Sequence, residues 1–378
     1  MLTYSQRSPI FERIRSKKAM EKFPQELIDL IIDQLCDDPK SLGTCLSLSR
    51  SFRSHAQVLL FRSTRISSDL DFLKFTAVCR SSPAVEYLVR SLHFVYSIDL
   101  LGGSGSVAAR QLRILFLPNV DTLHIDGGGN AWDDGLVGSM TSVITSLTLE
   151  GVEFSSAESF RRCIRSYPQL KSLNMIGVSS PPSARGSIVD GSFLWRASDM
   201  NIPLYALRIL RLHIPLRDVS EIQSILNGVR HSLSRLSISP MLPNDKTPKF
   251  FTNAQVLDFS RVPVVDYVMS NIRHEVPYLL EGLEFLELCI KKGAGPAFLQ
   301  HLTVIVPPLP TLKELVQLSG NDIWAALDTA LSAPRFASLK VLRVSIGSED
   351  NNMTIRRNIV EQMPVLHEEG RLLVEALA

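Results

Sequence analysis

One spacing of apolar residues, L-x-x-L-x-L, returns along most of this 378-residue chain and restricts what it can fold into. The plainest copies are Leu170-Leu173-Met175, Leu207-Leu210-Leu212, Leu233-Leu236-Ile238, Leu283-Leu286-Leu288 and Leu339-Leu342-Val344. Weaker copies lie at Val89 to Phe94, Asp121 to Ile125, Ile144 to Leu149, Val256 to Phe259 and Leu312 to Leu318. The last three positions of each copy alternate as a half-buried strand does. Its two apolar side chains turn to one face and the residue between them turns to the other. From Leu92 to Leu342 the central positions recur about every 28 residues, with intervals from about 21 to 37.

The segments between the copies repeat as well. Ala157 to Tyr167, Val219 to Val229 and Trp324 to Leu331 read as short helices, and Pro83, Pro118, Pro168, Pro310 and Pro334 stand shortly before the next strand. Proline cannot continue a helix and biases its predecessor towards extended backbone, so each unit reads helix, proline, strand. A single unit cannot bury its own apolar face and must stack on its neighbours. The fold class expected is α/β, an irregular leucine-rich-repeat solenoid over residues 67–378. The competing arrangement is an ordinary α/β domain with several parallel strands. The asparagine that usually follows the last leucine is replaced by Val152, Val178, Pro215 and Lys291, so the repeats should be uneven. Ser179 to Pro203 and Ser239 to Phe251 read as loops.

Residues 23–66 do not follow the repeat. Phe23-Pro24-Gln25-Glu26 opens a helix in which Leu27, Ile28, Leu30, Ile31, Ile32 and Leu35 fill an arc of roughly 200°. Packing on one neighbour needs about half that arc, so a second apolar surface is implied. Burying all six is worth on the order of 10 kcal/mol gross. A second helix follows Asp37-Asp38-Pro39 and a third runs from Ser49 to Leu60. Three short helices are at the limit of independent stability. From these residues alone the module is either a cap for the repeats or a docking unit.

The run Phe23-Pro24-Gln25-Glu26-Leu27-Ile28 through Leu35, then Leu46-Ser47-Leu48-Ser49-Arg50-Ser51-Phe52 and Leu60-Phe61-Arg62, resembles an F-box. The continuation from Leu70 through Ser82-Pro83 to Phe94 is similar to that of mushroom-type fungal F-box proteins with leucine-rich repeats. Phe23, Ser49 and Phe52 depart from the residues commonest at those places. The resemblance implies a small all-α three-helix module that docks the Skp-type adaptor of a cullin–RING ubiquitin ligase. Its contacts would be Phe23, Pro24, Leu27, Ile28, Ile31, Leu35, Leu46 and Phe52. Some of these must instead hold the module's own core, and the sequence does not separate the two sets.

The remaining features bound the function. Lys+Arg 40 against Asp+Glu 38 leaves a net charge of +2, with no basic stripe of the kind that nucleic acid requires. Five scattered cysteines without a CxxC spacing suit reduced thiols, hence a cytoplasmic or nuclear protein. Residues 1–22 read as a disordered basic tail, and no apolar run is long enough for a membrane span. His274-Glu275 lacks a zincin's second histidine, and Gly102 to Gly105 matches no phosphate loop. Gly127-Gly128-Gly129 reads as a flexible connection between repeats, and His213 and His367 as surface residues. No catalytic set emerges and no cofactor is expected. The protein reads as a non-enzymatic substrate receptor for an unidentified target, or alternatively as a repeat scaffold whose N-terminal helices only cap it. The residues between strand leucines, Thr148, Asn174, Arg211, Ser237, Asp258, Glu287 and Arg343, should share one face. Arg208, Arg211, Arg235, Asp258, Glu284 and Glu287 are the candidate target contacts, a basic zone giving way to an acidic one.

Overall fold

Eleven short stretches with the alternation of half-buried strands pair, each with the next in the chain, into one parallel sheet of strand order β1 to β11. The computed structural model describes residues 24–95, 117–131, 143–178, 204, 206–215, 226–229, 232–241, 259, 261–269, 276–292, 297–308, 318–347 and 352–376. The strands are β1 (Ser63–Ile66), β2 (Ser91–Val95), β3 (Thr122–Ala131), β4 (Ser146–Glu153), β5 (Ser172–Ile176) and β6 (Ile209–Pro215). They continue with β7 (Arg235–Met241), β8 (Val264–Val268), β9 (His301–Val306), β10 (Val341–Ile346) and β11 (Leu372–Ala376). The order never reverses, so among the described residues the sheet has no switch point of the doubly wound kind.

Register explains the spacing. Leu92, Leu123, Leu147, Leu173, Leu210, Leu236, Val265, Leu302 and Leu342 form one cross-strand row, and Phe94 to Val344 form a second, two residues on. Three residues before the first row stand Val89, Val120, Ile144, Leu170, Leu207, Leu233, Val262, Leu299 and Leu339, all buried. One continuous core runs from Ile66 to Val374 through these rows. The connecting segments supply its other wall: α4 (Asp69–Ser81) with Phe72, Phe75 and Cys79, and α5 (Ala157–Arg165) with Phe160, Cys163 and Ile164. Further along come α6 (Val276–Lys292), α7 (Ile323–Leu331), α8 (Asn352–Gln362) and α9 (Pro364–Glu368). Pro83 and Pro334 each open a 3₁₀ turn ahead of a strand. Val152 and Val178 stand where the repeat asparagine would be, and both are buried, so an apolar side chain fills that place.

Two strand assignments shift along the chain. Leu283-Leu286-Leu288 lies inside α6, where Leu279, Leu283, Leu286 and Ile290 are buried at helical spacing. The strand of that unit is β9, carried by Leu299-Leu302-Val304 with β-branched Val304, Ile305 and Val306. Upstream, Val256 to Asp258 fall outside the described residues and the strand is β8, carried by Val262-Val265-Tyr267. Of Leu312 to Leu318 only Leu318 is described, at the start of a helical turn. Unit spacing, measured on the paired row, runs from 24 residues (Leu123 to Leu147) to 40 (Leu302 to Leu342).

Gly127-Gly128-Gly129 is not a loop but part of β3, whose pairing with β4 shifts register between Asp126 and Asn130. A Cβ on Gly127 would sit 2.7 Å from the Gly151 carbonyl oxygen, so only glycine permits that approach. Ser239 to Met241, read as the start of a loop, complete β7.

Residues 25–62 form three helices: α1 (Gln25–Asp33), α2 (Pro39–Leu48) and α3 (Arg50–Arg62). Asp38 caps α2 by accepting from the Lys40 and Ser41 amides, and Ser49 caps α3 by accepting from the Phe52 amide. Ile28, Ile32, Leu42, Cys45, Phe52 and Ala56 make a second core, separate from that of the sheet. Helix α3 passes into β1 with no linker, and the Arg62 carbonyl already accepts from the Arg90 amide at 2.9 Å.

Candidate functional site

Two surfaces present side chains that the two cores do not consume. The first is α1. Its buried residues, Ile28 and Ile32, point into the small core, with Leu35 packed partly against it. Leu27, Leu30 and Ile31, at i, i+3 and i+4, are left 46%, 58% and 50% exposed. They form one apolar stripe on the outward side of the helix. Half-exposed as they are, the three aliphatics forgo on the order of 1 kcal/mol each of burial, a cost that a partner would remove. The stripe is held rigidly: Asp33 on α1 pairs with His55 on α3 at 2.7 Å, and the Gln25 amide donates to the Ser51 carbonyl at 3.1 Å.

The structure therefore divides the adaptor contacts named from the resemblance. Pro24, Leu27 and Ile31 are exposed. Ile28 and Phe52 are buried in the module's own core, and Leu35 and Leu46 are half-buried against it. The Ile28 and Phe52 side chains are thus turned inward, away from any contact surface. Phe23 lies outside the described residues. Leu30, in the exposed stripe, and Val58 on α3, 40% exposed, were absent from that set. The period of 3.6 residues places Leu30 beside Leu27 and Ile31, and it could have been found that way.

The second surface is the face of the sheet turned away from its core. The register puts Arg65, His93, His124, Thr148, Asn174, Arg211, Ser237, Asp266, Thr303, Arg343 and Leu373 in one row across β1 to β11. A second row, Ser63, Ser91, Thr122, Ser146 and Ser172, lays hydroxyl side chains along the start of β1 to β5. Thr148, Asn174, Arg211, Ser237 and Arg343 stand in the row where the spacing put them. Asp266 and Thr303 take the places expected of Asp258 and Glu287.

Charges on this face are mostly matched between neighbouring strands. Arg235 pairs with Asp266 at 2.6 Å, Arg343 with Glu375 at 3.5 Å, and His124 with Glu150 at 3.0 Å. The carboxylate of Asp266 raises the Arg235 guanidinium above its ordinary value, first by hydrogen bond and then by charge. His93 and His124 stack with ring centroids 4.0 Å apart and planes 2° from parallel. Burial first, then His124 and Arg65, holds His93 below the ordinary histidine value, against the pull of Asp126 and Glu150.

The expected acidic zone is corrected. Glu284 and Glu287 lie on α6, not in a strand, and Glu287 is engaged by Lys291 one helical turn on. Asp258 lies outside the described residues. The acids the sheet does present on this face are Asp126, Glu150, Asp266 and Glu375, dispersed along it. Arg208 is exposed just ahead of β6 and donates to the Ser232 carbonyl at 3.0 Å. His213 is half-buried in β6 rather than a plain surface residue, and burial lowers its pKa.

Neither surface carries a catalytic arrangement that the geometry singles out. No group of three or more His, Cys, Asp or Glu among the described residues could hold a metal ion. No helix among them is long and apolar enough to cross a membrane. Cys45, Cys79, Cys163 and Cys289 are buried and form no disulfide among the described residues, and burial pushes the Cys79 thiol up to about 11. Such thiols fill core volume.

Comparison with known families finds an F-box domain: the family model described as COS11 F-box domain matches residues 20–96. The match takes in the three helices, β1, α4 and β2. No curated protein matches the chain.

Proposed function

We propose that this protein is the substrate-recognition subunit of an SCF-type ubiquitin ligase. It docks the Skp-type adaptor through α1 and neighbouring helices and holds a target protein on a leucine-rich-repeat solenoid. The observation that carries the first half is the exposed stripe Leu27, Leu30 and Ile31, set on a helix whose other side is already satisfied by its own core. The F-box match over residues 20–96 supplies the partner class.

The solenoid reading rests on three features together: parallel strands in strict chain order, L-x-x-L-x-L positions buried in aligned rows, and one core continuous from Ile66 to Val374. Uneven units of 24 to 40 residues still stack, because each strand only has to meet the row before it.

The alternative, that α1 to α3 merely cap the solenoid, is weakened by the packing. Ile66, Phe72, Phe75 and Cys79, from β1 and α4, already close that end of the long core. The three helices keep a core of their own, which capping does not require.

Leu27→Asp combined with Ile31→Asp tests the docking half. Both side chains are exposed, so the variant keeps its fold. It should lose adaptor co-purification by at least about 100-fold in affinity, as loss of two apolar anchors demands. Retained adaptor binding in the folded double variant would rule the reading out.

A further inference from the structure

The middle of the sheet carries a local excess of positive charge. Strands β5, β6 and β7 contain no Asp or Glu. Against that, Lys171 and Arg208, immediately ahead of β5 and β6, are exposed, as are Arg211 in β6 and Arg235 in β7. The Lys171 carbonyl accepts from the Arg208 amide at 2.8 Å, so the two bases stand on adjacent chain segments, about 5 Å apart in the pairing direction.

These cations are not equivalent. Arg235 already has its carboxylate, Asp266. One N–H of Arg208 is held by the Ser232 carbonyl. Arg211 has neither an ion pair nor a side-chain hydrogen bond among the described residues, and its register neighbours, Asn174 and Ser237, are neutral. The arginines of this face on β7 and β10 each meet a carboxylate on the next strand, Arg235 with Asp266 and Arg343 with Glu375. At Arg211 no carboxylate of the described residues supplies that match.

We propose that the face over β5 to β7 binds an extended acidic segment of a partner protein, with a carboxylate of that segment on Arg211. A guanidinium takes a carboxylate with two parallel N–H···O bonds, the strongest pairing available to an exposed arginine. Asn174 and Ser237 on either side can donate to the remaining lone pairs. In an extended segment, side chains on one face recur about every 6.8 Å, so a second acid two residues on falls within reach of Arg208 and Lys171. Absence of acids on three consecutive strands leaves a positive potential that attracts such a segment and repels a basic one. The inference deepens the proposed target-binding role of this face but needs no adaptor.

The probe is a fluorescein-labelled nonapeptide of alternating glutamate and glycine, titrated by anisotropy against the full chain at low and at physiological salt. Saturable binding that weakens with salt is expected, falling at least about tenfold in Arg211→Glu. Arg65→Glu is the control, because Arg65 is also an unmatched base but lies on β1, roughly 24 Å away. It should change the affinity by less than about twofold. No binding by the wild-type chain, equal binding by Arg211→Glu, an equal loss in Arg65→Glu, or equal affinity for the same peptide with glutamine in place of glutamate would each overturn the proposal. Adaptor binding, measured on the same Arg211→Glu protein, reports separately on the ligase reading. It should be unchanged, and its absence from wild type would leave the peptide result standing.

Discussion

Asp328 is a carboxylate buried inside α7, and the protein uses it to hold the next helix. Its two oxygens accept from the Val365 amide at 3.0 Å and the Leu366 amide at 2.9 Å, the first turn of α9. Helix termini leave such amides without intrahelical partners, and here a long-range side chain supplies the acceptors. Asp328→Ala should therefore cost about 2–4 kcal/mol, since two amides lose their acceptors and at least one stays buried. Asp328→Asn keeps one acceptor and should cost less. Urea unfolding of both variants checks the order, and equal stability of wild type and the alanine variant would refute it. The stacked histidines give a pH dependence. His93 has a folded value below its unfolded value of about 6.5, so between the two the unfolded chain binds the proton more readily. Stability is then fully present above pH of about 6.5 and declines as pH falls towards the folded value. His213, lowered by burial, adds in the same direction. Melting temperature should drop between about pH 7.5 and 5.5, and His93→Gln should flatten that slope. An unchanged slope in the variant would show that His93 is not responsible.

At the scale of elements, the boundary between the two cores makes a specific demand on truncation. The sequence places the end of the helical module at residue 66, whereas Ser63 to Ile66 pair with Ser91 to Phe94 and Ile66 is buried in the long core. A fragment beginning at Ser63 should keep the sheet's first strand and melt close to the full chain. One beginning at Ser67 loses that strand and the burial of Ile66, worth about 2 kcal/mol or more, and should melt clearly lower. Identical melting of both fragments would mean that β1 contributes nothing. The same comparison shows how much was legible beforehand. Helices α1 to α3, α5 and α7 were legible from apolar spacing, and strands β2 to β7 and β10 stood out because leucine at the strand positions coincides with alternation. Strand β8 is built on valine and tyrosine, and β9 on a run of β-branched residues beside Leu302, so a search led by leucine passed over both. The copy at Leu283 to Leu288 misled because Leu283 and Leu286 are also a valid helical pair. On α1 the width of the apolar arc announced a second surface, but not which residues faced it. That depended on where α2 and α3 pack, a tertiary fact that periodicity does not contain.

Over the whole molecule, the division of labour follows from which surfaces folding leaves unsatisfied. The long core consumes the repeated apolar rows from Ile66 to Val374, and the short core consumes one side of α1. What remains is an apolar stripe at the F-box end and a polar sheet face with a local excess of positive charge. Because α3 runs into β1 without a linker, the two surfaces are carried on continuous secondary structure. On the proposed reading, one protein is held at each surface and ubiquitin transfer falls to the partners. The most direct test is a calorimetric titration of purified Skp-type adaptor into the purified chain. A one-to-one complex with affinity in the micromolar range or tighter, at least about −8 kcal/mol, is the result predicted. No heat and no complex, from a protein that still melts cooperatively, would contradict the account and leave a repeat scaffold whose N-terminal helices serve some other partner.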